Sequence, residues 1–110
     1  MTRSIRPKLK APKVARIGEV ILIKTLISHP MESGVRKDET GALIPRDIIT
    51  QFEARFEGAV FFSVALHPAV SADPYFAFHF QVPGPGRLSF HWQDEKGERW
   101  SLEHYLEVKN

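Results

Sequence analysis

A chain of 110 residues, 43% hydrophobic and 25% charged, has the length and balance of one soluble globular domain covering residues 1–110. It contains no cysteine, which excludes thiolate nucleophiles, disulfides, iron–sulfur ligation and cysteine-ligated zinc, and no run nears the roughly 18 apolar residues of a membrane-spanning helix. The net charge of +2 is uneven, since residues 1–55 hold 11 Lys/Arg against 6 Asp/Glu while residues 56–110 hold 4 against 7.

In the N-terminal segment, Arg3, Arg6, Lys8, Lys10, Lys13 and Arg16 follow one another without an acid between them. Such a run can neutralise phosphates, but no aromatic residue interleaves with it, so nucleic acid is not the expected partner. The lysines and Pro7 suit a first strand, near Ile5 and Leu9, that resists edge pairing. The same segment lacks the apolar core of a secretory signal.

From Gly18, "GEVILIKTLIS" predicts a strand that is aliphatic on both sides, with Val20, Leu22 and Leu26 on one and Ile21, Ile23 and Ile27 on the other. One face of an antiparallel sandwich strand is ordinarily wet, so a second aliphatic face implies a cover. The expectation assigns Ile21, Ile23 and Ile27 to that covered outer face. Residues 30–46 then form a long inter-strand connection, of a length associated with functional loops, and "RKDETGALIP" within it predicts a small hairpin with Asp38, Glu39, Thr40 and Gly41 at its tip.

Period two dominates the rest. Ile48, Phe52, Ala54 and Phe56 oppose Gln51, Glu53, Arg55 and Glu57; after the Glu57-Gly58 turn, Val60, Phe62, Val64 and Leu66 alternate with Phe61, Ser63 and Ala65. Pro68 and Pro74 bracket a loop that cannot continue a ladder. Phe76, Phe78, Phe80 and Val82 point inward, "PGPG" is expected to turn the chain back, and Leu88, Phe90 and Trp92 return. A "DEKGE" turn leads to a last strand carrying Trp100, Leu102, Leu106 and Val108. About seven short strands without a convincing helix predict an all-β, immunoglobulin-like antiparallel sandwich.

The histidines are the remaining chemical candidates. His29 and His67 each precede a proline at a strand end and are expected at the sandwich rim, where they serve the loop backbone. If "PGPG" closes a hairpin, His79 and His91 face each other on the outer surface, a pair able to hold zinc or copper. A histidine-dependent metal protein is therefore the alternative reading. His104 shares the inward register of Trp100 and Leu102. Ser28 and His29 point to opposite sides of a strand and cannot form a catalytic pair, while Ser63 and Ser71 lack a nucleophile elbow. No enzyme signature is present and no cofactor is called for.

"IKTLISHPMESG", "RKDETGALIPRDII" and "LHPAVSADPYFAF", in this order and spacing, resemble the SoxZ family of bacterial sulfur oxidation, with Trp92, Asp94 and Gly97 adding a matching turn. The resemblance implies a non-catalytic subunit that pairs with a SoxY-like subunit, whose C-terminal cysteine carries thiosulfate-derived sulfur among other Sox enzymes. It also implies a periplasmic site, reached by co-export with that subunit. Read beside it, the aliphatic strand (Ile21, Ile23, Ile27) becomes the partner face, or a self-association face in the isolated chain. His29, Pro30, Met31, Arg36, Lys37, Arg46 and His67 become a rim contact surface for the carrier arm or visiting enzymes.

Overall fold

The computed structural model describes residues 5–67, 70 and 72–109; Pro68 and Ser71 therefore lie outside the described residues. Eight strands form among them: β1 (Pro7–Lys10), β2 (Val14–Ala15), β3 (Val20–Ile27), β4 (Ile49–Phe56), β5 (Ala59–Ala65), β6 (Tyr75–Gln81), β7 (Gly86–Asp94) and β8 (Arg99–Val108). They build a three-stranded sheet in the order β1-β3-β6 and a five-stranded sheet in the order β2-β8-β7-β4-β5. Every pairing is antiparallel except that of β2 with β8. This is the immunoglobulin-like sandwich that the alternating runs predict.

The extra strand comes from a division of the first one. At Ala11-Pro12-Lys13 the chain leaves β3 and re-pairs with β8 in the other sheet, because Pro12 has no N–H to offer a continuing ladder. His104 fastens this crossing: half-buried on the inward side, its Nε2 lies 2.8 Å from the Pro12 carbonyl oxygen.

The β4–β5 hairpin closes on Glu57 (φ 49°) and Gly58 (φ 85°), both left-handed, as the mirror-image turn suited to strand twist requires. Three residues past Gly58, strict alternation fails. Ala54 faces Phe62 but Arg55 faces Val60, so Phe61 is the extra residue of a bulge. The bulge turns Phe61 inward beside Phe62, and both reach the opposite sheet, with ring centroids 4.4 Å from Phe80 and 4.2 Å from Phe78 respectively.

Phe52 is the centre of the core, with ring neighbours Phe62, Phe76, Phe78 and Trp92 at centroid distances of 4.9 to 6.1 Å. Ile21, Ile23, Ile27, Leu88, Phe90 and Leu106 complete it from both sheets. Each such side chain contributes about 1.5–3 kcal/mol when fully buried, which is what holds the two layers together.

"PGPG" is not a hairpin turn. β6 belongs to the three-stranded sheet and β7 to the five-stranded one, so the segment carries the chain across the end of the sandwich. Two prolines in four residues remove the donors a tight hairpin ladder would use. His79 and His91 consequently sit in different sheets on opposite outer faces, and the expected cross-strand histidine pair does not exist.

Candidate partner interface

β3 shows which aliphatic face is inside. Ile21, Ile23, Thr25 and Ile27 are buried, Ile23 and Ile27 completely, whereas Val20 is 57% and Leu22 40% exposed. The expectation that Ile21, Ile23 and Ile27 form the outer face is thus corrected: they are core residues. Lys24 carried the deciding signal. It shares the register of Val20, Leu22 and Leu26, and an ammonium without a buried partner forces its face toward water.

The strand registers assemble the outer surface of the three-stranded sheet row by row. Lys8, Leu26 and Tyr75 form one row, Lys10, Lys24 and Ala77 the next, then Leu22 beside His79 and Val20 beside Gln81. Two shallow grooves cross it. One, of about 330 Å³, is lined by Lys10, Ala11, Pro12, Leu22 and Lys24. The other, of about 200 Å³, runs along Lys8, Leu9, Lys24, Leu26 and Tyr75. Among the described residues, these rows therefore combine an aliphatic floor with three lysines and no carboxylate.

The opposite face is different in kind. On the five-stranded sheet, Glu53 pairs with Arg55 at 2.6 Å and Arg87 with Glu103 at 3.3 Å, so its charges are largely neutralised within the face. His91 lies there, 3.1 Å from the Ser89 hydroxyl. Burial, then the nearby Arg55 guanidinium, holds its imidazole below the usual histidine range.

At the end of the sandwich, the His-Pro-Met sequence builds a latch rather than a contact surface. His29 and Met31 are buried, at 1% and 5% exposure, which corrects their assignment to a rim contact surface, while the expected bonding of His29 to loop backbone is present. The His29 Nδ1 accepts a hydrogen bond from the Met31 N–H (2.9 Å), leaving the ring proton on Nε2, which is directed at Asp47 Oδ1 3.7 Å away. The Met31 Sδ in turn accepts the Ile49 N–H at 3.3 Å. These contacts hold Met31 at φ 49°, a left-handed conformation costing a non-glycine residue about 1–2 kcal/mol. His29 is also tied to the loop before β6: its N–H donates to Asp73 Oδ1 (2.9 Å) and its carbonyl accepts the Asp73 N–H (2.7 Å).

The connection beyond the latch folds back on itself. Glu32 and Asp47 exchange backbone hydrogen bonds, and Lys37 bridges Leu43 in the small hairpin read from "RKDETGALIP". At its tip, the Thr40 hydroxyl and the Ala42 and Thr40 amides donate to Asp38, holding that carboxyl below the usual range. Arg36 bonds Glu32 and lowers its pKa in the same way, and Arg46 pairs with Glu95 at 3.0 Å. Of the expected rim residues, Pro30, Arg36, Lys37, Arg46 and His67 are exposed. Arg36 and Arg46 are already engaged by carboxylates of the chain itself.

With this geometry in place, comparison with known proteins identifies the family. The family described as Sulphur oxidation protein SoxZ matches residues 9–104. The chain belongs to the SoxZ family. No curated protein sequence matches it. Among solved structures, the superoxide reductase (neelaredoxin) from Ignicoccus hospitalis is similar at 19% identity and a TM-score of 0.70, covering 94% of this chain and 80% of that one. The CARDB domain of a Pyrococcus furiosus protein, solved in complex with di-metal ions, is similar at 10% identity and a TM-score of 0.54, covering 96% and 94%. At such identities these neighbours share the fold alone.

For a SoxZ-family sulfur oxidation protein, the absence of any thiol among 110 residues separates the chain from covalent sulfur chemistry on cysteine. Among the described residues, no three His, Asp or Glu side chains cluster as metal ligands. The outer face of β1, β3 and β6 brings exposed Val20, Leu22 and Tyr75 together with three lysines. Sequence reasoning named Val20, Leu22 and Leu26 but placed them inside, and it did not connect Lys8, Lys10 and Tyr75 to them, because only strand pairing makes them neighbours.

Proposed function

We propose that this chain is the non-catalytic half of a sulfur-carrier complex. A SoxY-like subunit packs over the outer face of the three-stranded sheet and supplies the cysteine that carries sulfur to the other Sox enzymes. The observation that carries this reading is the lysine-rimmed aliphatic face itself, Val20, Leu22, Leu26 and Tyr75 beside Lys8, Lys10 and Lys24, on a chain without a thiol. Its chemistry fits a partner surface with apolar anchors and an acidic rim, for which the lysines accelerate encounter.

In the same reading, the exposed hairpin bearing Arg36 and Lys37, together with the exposed Arg46 and His67, meets visiting enzymes while the His29–Met31 latch holds its base. The complex works in the periplasm, which the chain reaches by co-export with its partner. The test is co-purification with a SoxY-like subunit carrying an export signal. Leu22→Glu is expected to lose the partner while the free chain stays folded, and undiminished co-elution of that variant would reject the face assigned here.

A further inference from the structure

Among the described residues β6 is an edge strand, paired with β3 alone. The directions of its backbone groups follow from its ends. The Val82 N–H donates to the Glu19 carbonyl (2.8 Å), the Val82 carbonyl accepts the Gly18 N–H (2.7 Å), and the Pro74 carbonyl accepts the Ile27 N–H (3.2 Å). With a period of two, Phe76, Phe78 and Phe80 also address β3. Tyr75, Ala77, His79 and Gln81 aim their N–H and C=O groups at the open side.

The other sheet edges are guarded against pairing. β1 carries Pro7, Lys8 and Lys10, β2 is two residues long, and β5 is interrupted by the bulge at Phe61. β6, "YFAFHFQ", has no proline, no Lys, Arg, Asp or Glu and no bulge, and its register with β3 is unbroken from Val20 to Leu26. Such an edge is a ready template for another strand.

We propose that β6 pairs antiparallel with β6 of a second copy of this chain, across a two-fold axis through Phe78, joining two three-stranded sheets into one of six strands. A second copy is the occupant because the edge is self-complementary about that axis. Tyr75 faces Gln81 of the second copy and Ala77 faces its His79, so the four outward donors and four outward acceptors of each strand are all satisfied. The side-chain rows continue across the seam as well. The Leu26–Tyr75 row runs into Gln81 and Val20 of the second copy, and the Lys24–Ala77 row into its His79 and Leu22. The two Lys24 ammoniums thus fall in different rows, three strand spacings of about 4.8 Å apart, beyond the Debye length of about 8 Å at physiological ionic strength. The contact uses the edge and leaves the outer face of both copies open, so it does not depend on the partner assignment above.

A seam of one strand pair is small, of the size typical of transient association, so dimer is expected to grow over about 10 µM to 1 mM. Amide hydrogen exchange on the full chain tests it directly. Over that range the amides of Ala77, His79 and Gln81 should slow about tenfold or more while those of Phe78 and Phe80 stay constant. Sedimentation should report a dimer that Ala77→Pro abolishes without shifting the unfolding transition, since that N–H points away from β3. Ala77→Lys provides the same test without backbone restriction. The parent has no cysteine, so a disulfide-linked dimer of Ala77→Cys/His79→Cys reports this register. Concentration-independent exchange, or dimers that persist in both Ala77 variants, would overturn the proposal. Protection appearing only when a SoxY-like subunit is added would assign the edge to that subunit and overturn it equally.

Discussion

Adjacent residues of β3 offer the sharpest check on which face is which. Ile23 is completely buried and Leu22 is 40% exposed, although the two are neighbours of nearly equal hydrophobicity. Truncating a buried isoleucine to alanine costs about 2–5 kcal/mol through lost burial and the cavity left behind. In a domain of this size each kcal/mol lowers Tm by about 4–8 °C, so Ile23→Ala should melt at least about 8 °C below the parent. Leu22→Ala gives up only the already buried part of its side chain and should cost about 1–2 kcal/mol in the free chain, less than Ile23→Ala.

Partner binding should invert that order. Covering the exposed 40% of Leu22 is worth somewhat under half of the about 1.5–3 kcal/mol of a full side chain, near 1 kcal/mol, so Leu22→Ala should weaken affinity about fivefold. Leu22→Glu should weaken it well beyond tenfold, because it brings a carboxylate into a desolvated contact. In the free chain that carboxylate sits in the groove with Lys10 and Lys24 and is tolerated. The assays are thermal unfolding of the isolated chain and calorimetric titration with a SoxY-like subunit. The reasoning fails if Leu22→Glu destabilises the free chain as much as Ile23→Ala does, or if it binds the partner with parental affinity.

Three further outcomes are expected. His29→Leu strips the Met31 N–H of its acceptor inside the protein, at about 1–3 kcal/mol, and should speed exchange of the Glu32 and Asp47 amides selectively; unchanged exchange there would deny the latch. Gly86→Ala places a Cβ 2.6 Å from the Phe56 ring and should cost about 1–3 kcal/mol in denaturant unfolding, whereas a parental midpoint would mean that the ring yields freely. The third concerns His91, whose folded pKa lies below its ordinary value of 6.5, so the unfolded chain takes up a proton that the folded chain resists. Its contribution is complete above about pH 6.5 and declines as pH falls toward the folded pKa. His91→Gln should flatten stability across that acid window, and an unaltered slope would exclude His91 as its source.

Much of the sandwich was legible because a strand half in water records its own orientation. The runs ending in Phe56, Val82 and Trp92 alternate so regularly that only one side can be the core, and the Glu57-Gly58 and Asp94–Glu98 turns carry their conformation in their residue types. The reading went wrong where local pattern had two solutions. β3 is aliphatic on both sides, and the one discriminating residue, Lys24, weighs little against six Val, Ile and Leu residues unless the cost of burying its charge is counted. "PGPG" marks a change of direction, but whether the chain returns within a sheet or crosses between sheets depends on the strands it connects.

The family motifs, the missing thiol and the all-β class are properties of the linear chain, since residue identity and period two survive without any knowledge of neighbours. The face beside Lys8, Lys10, Leu22 and Tyr75, the inward turn of Phe61 and the burial of His29 belong to the tertiary structure alone. Each depends on which strand lies beside which, and that pairing is settled by closing a shared core around Phe52 from segments distant in sequence, an energy that no single stretch of the chain contains.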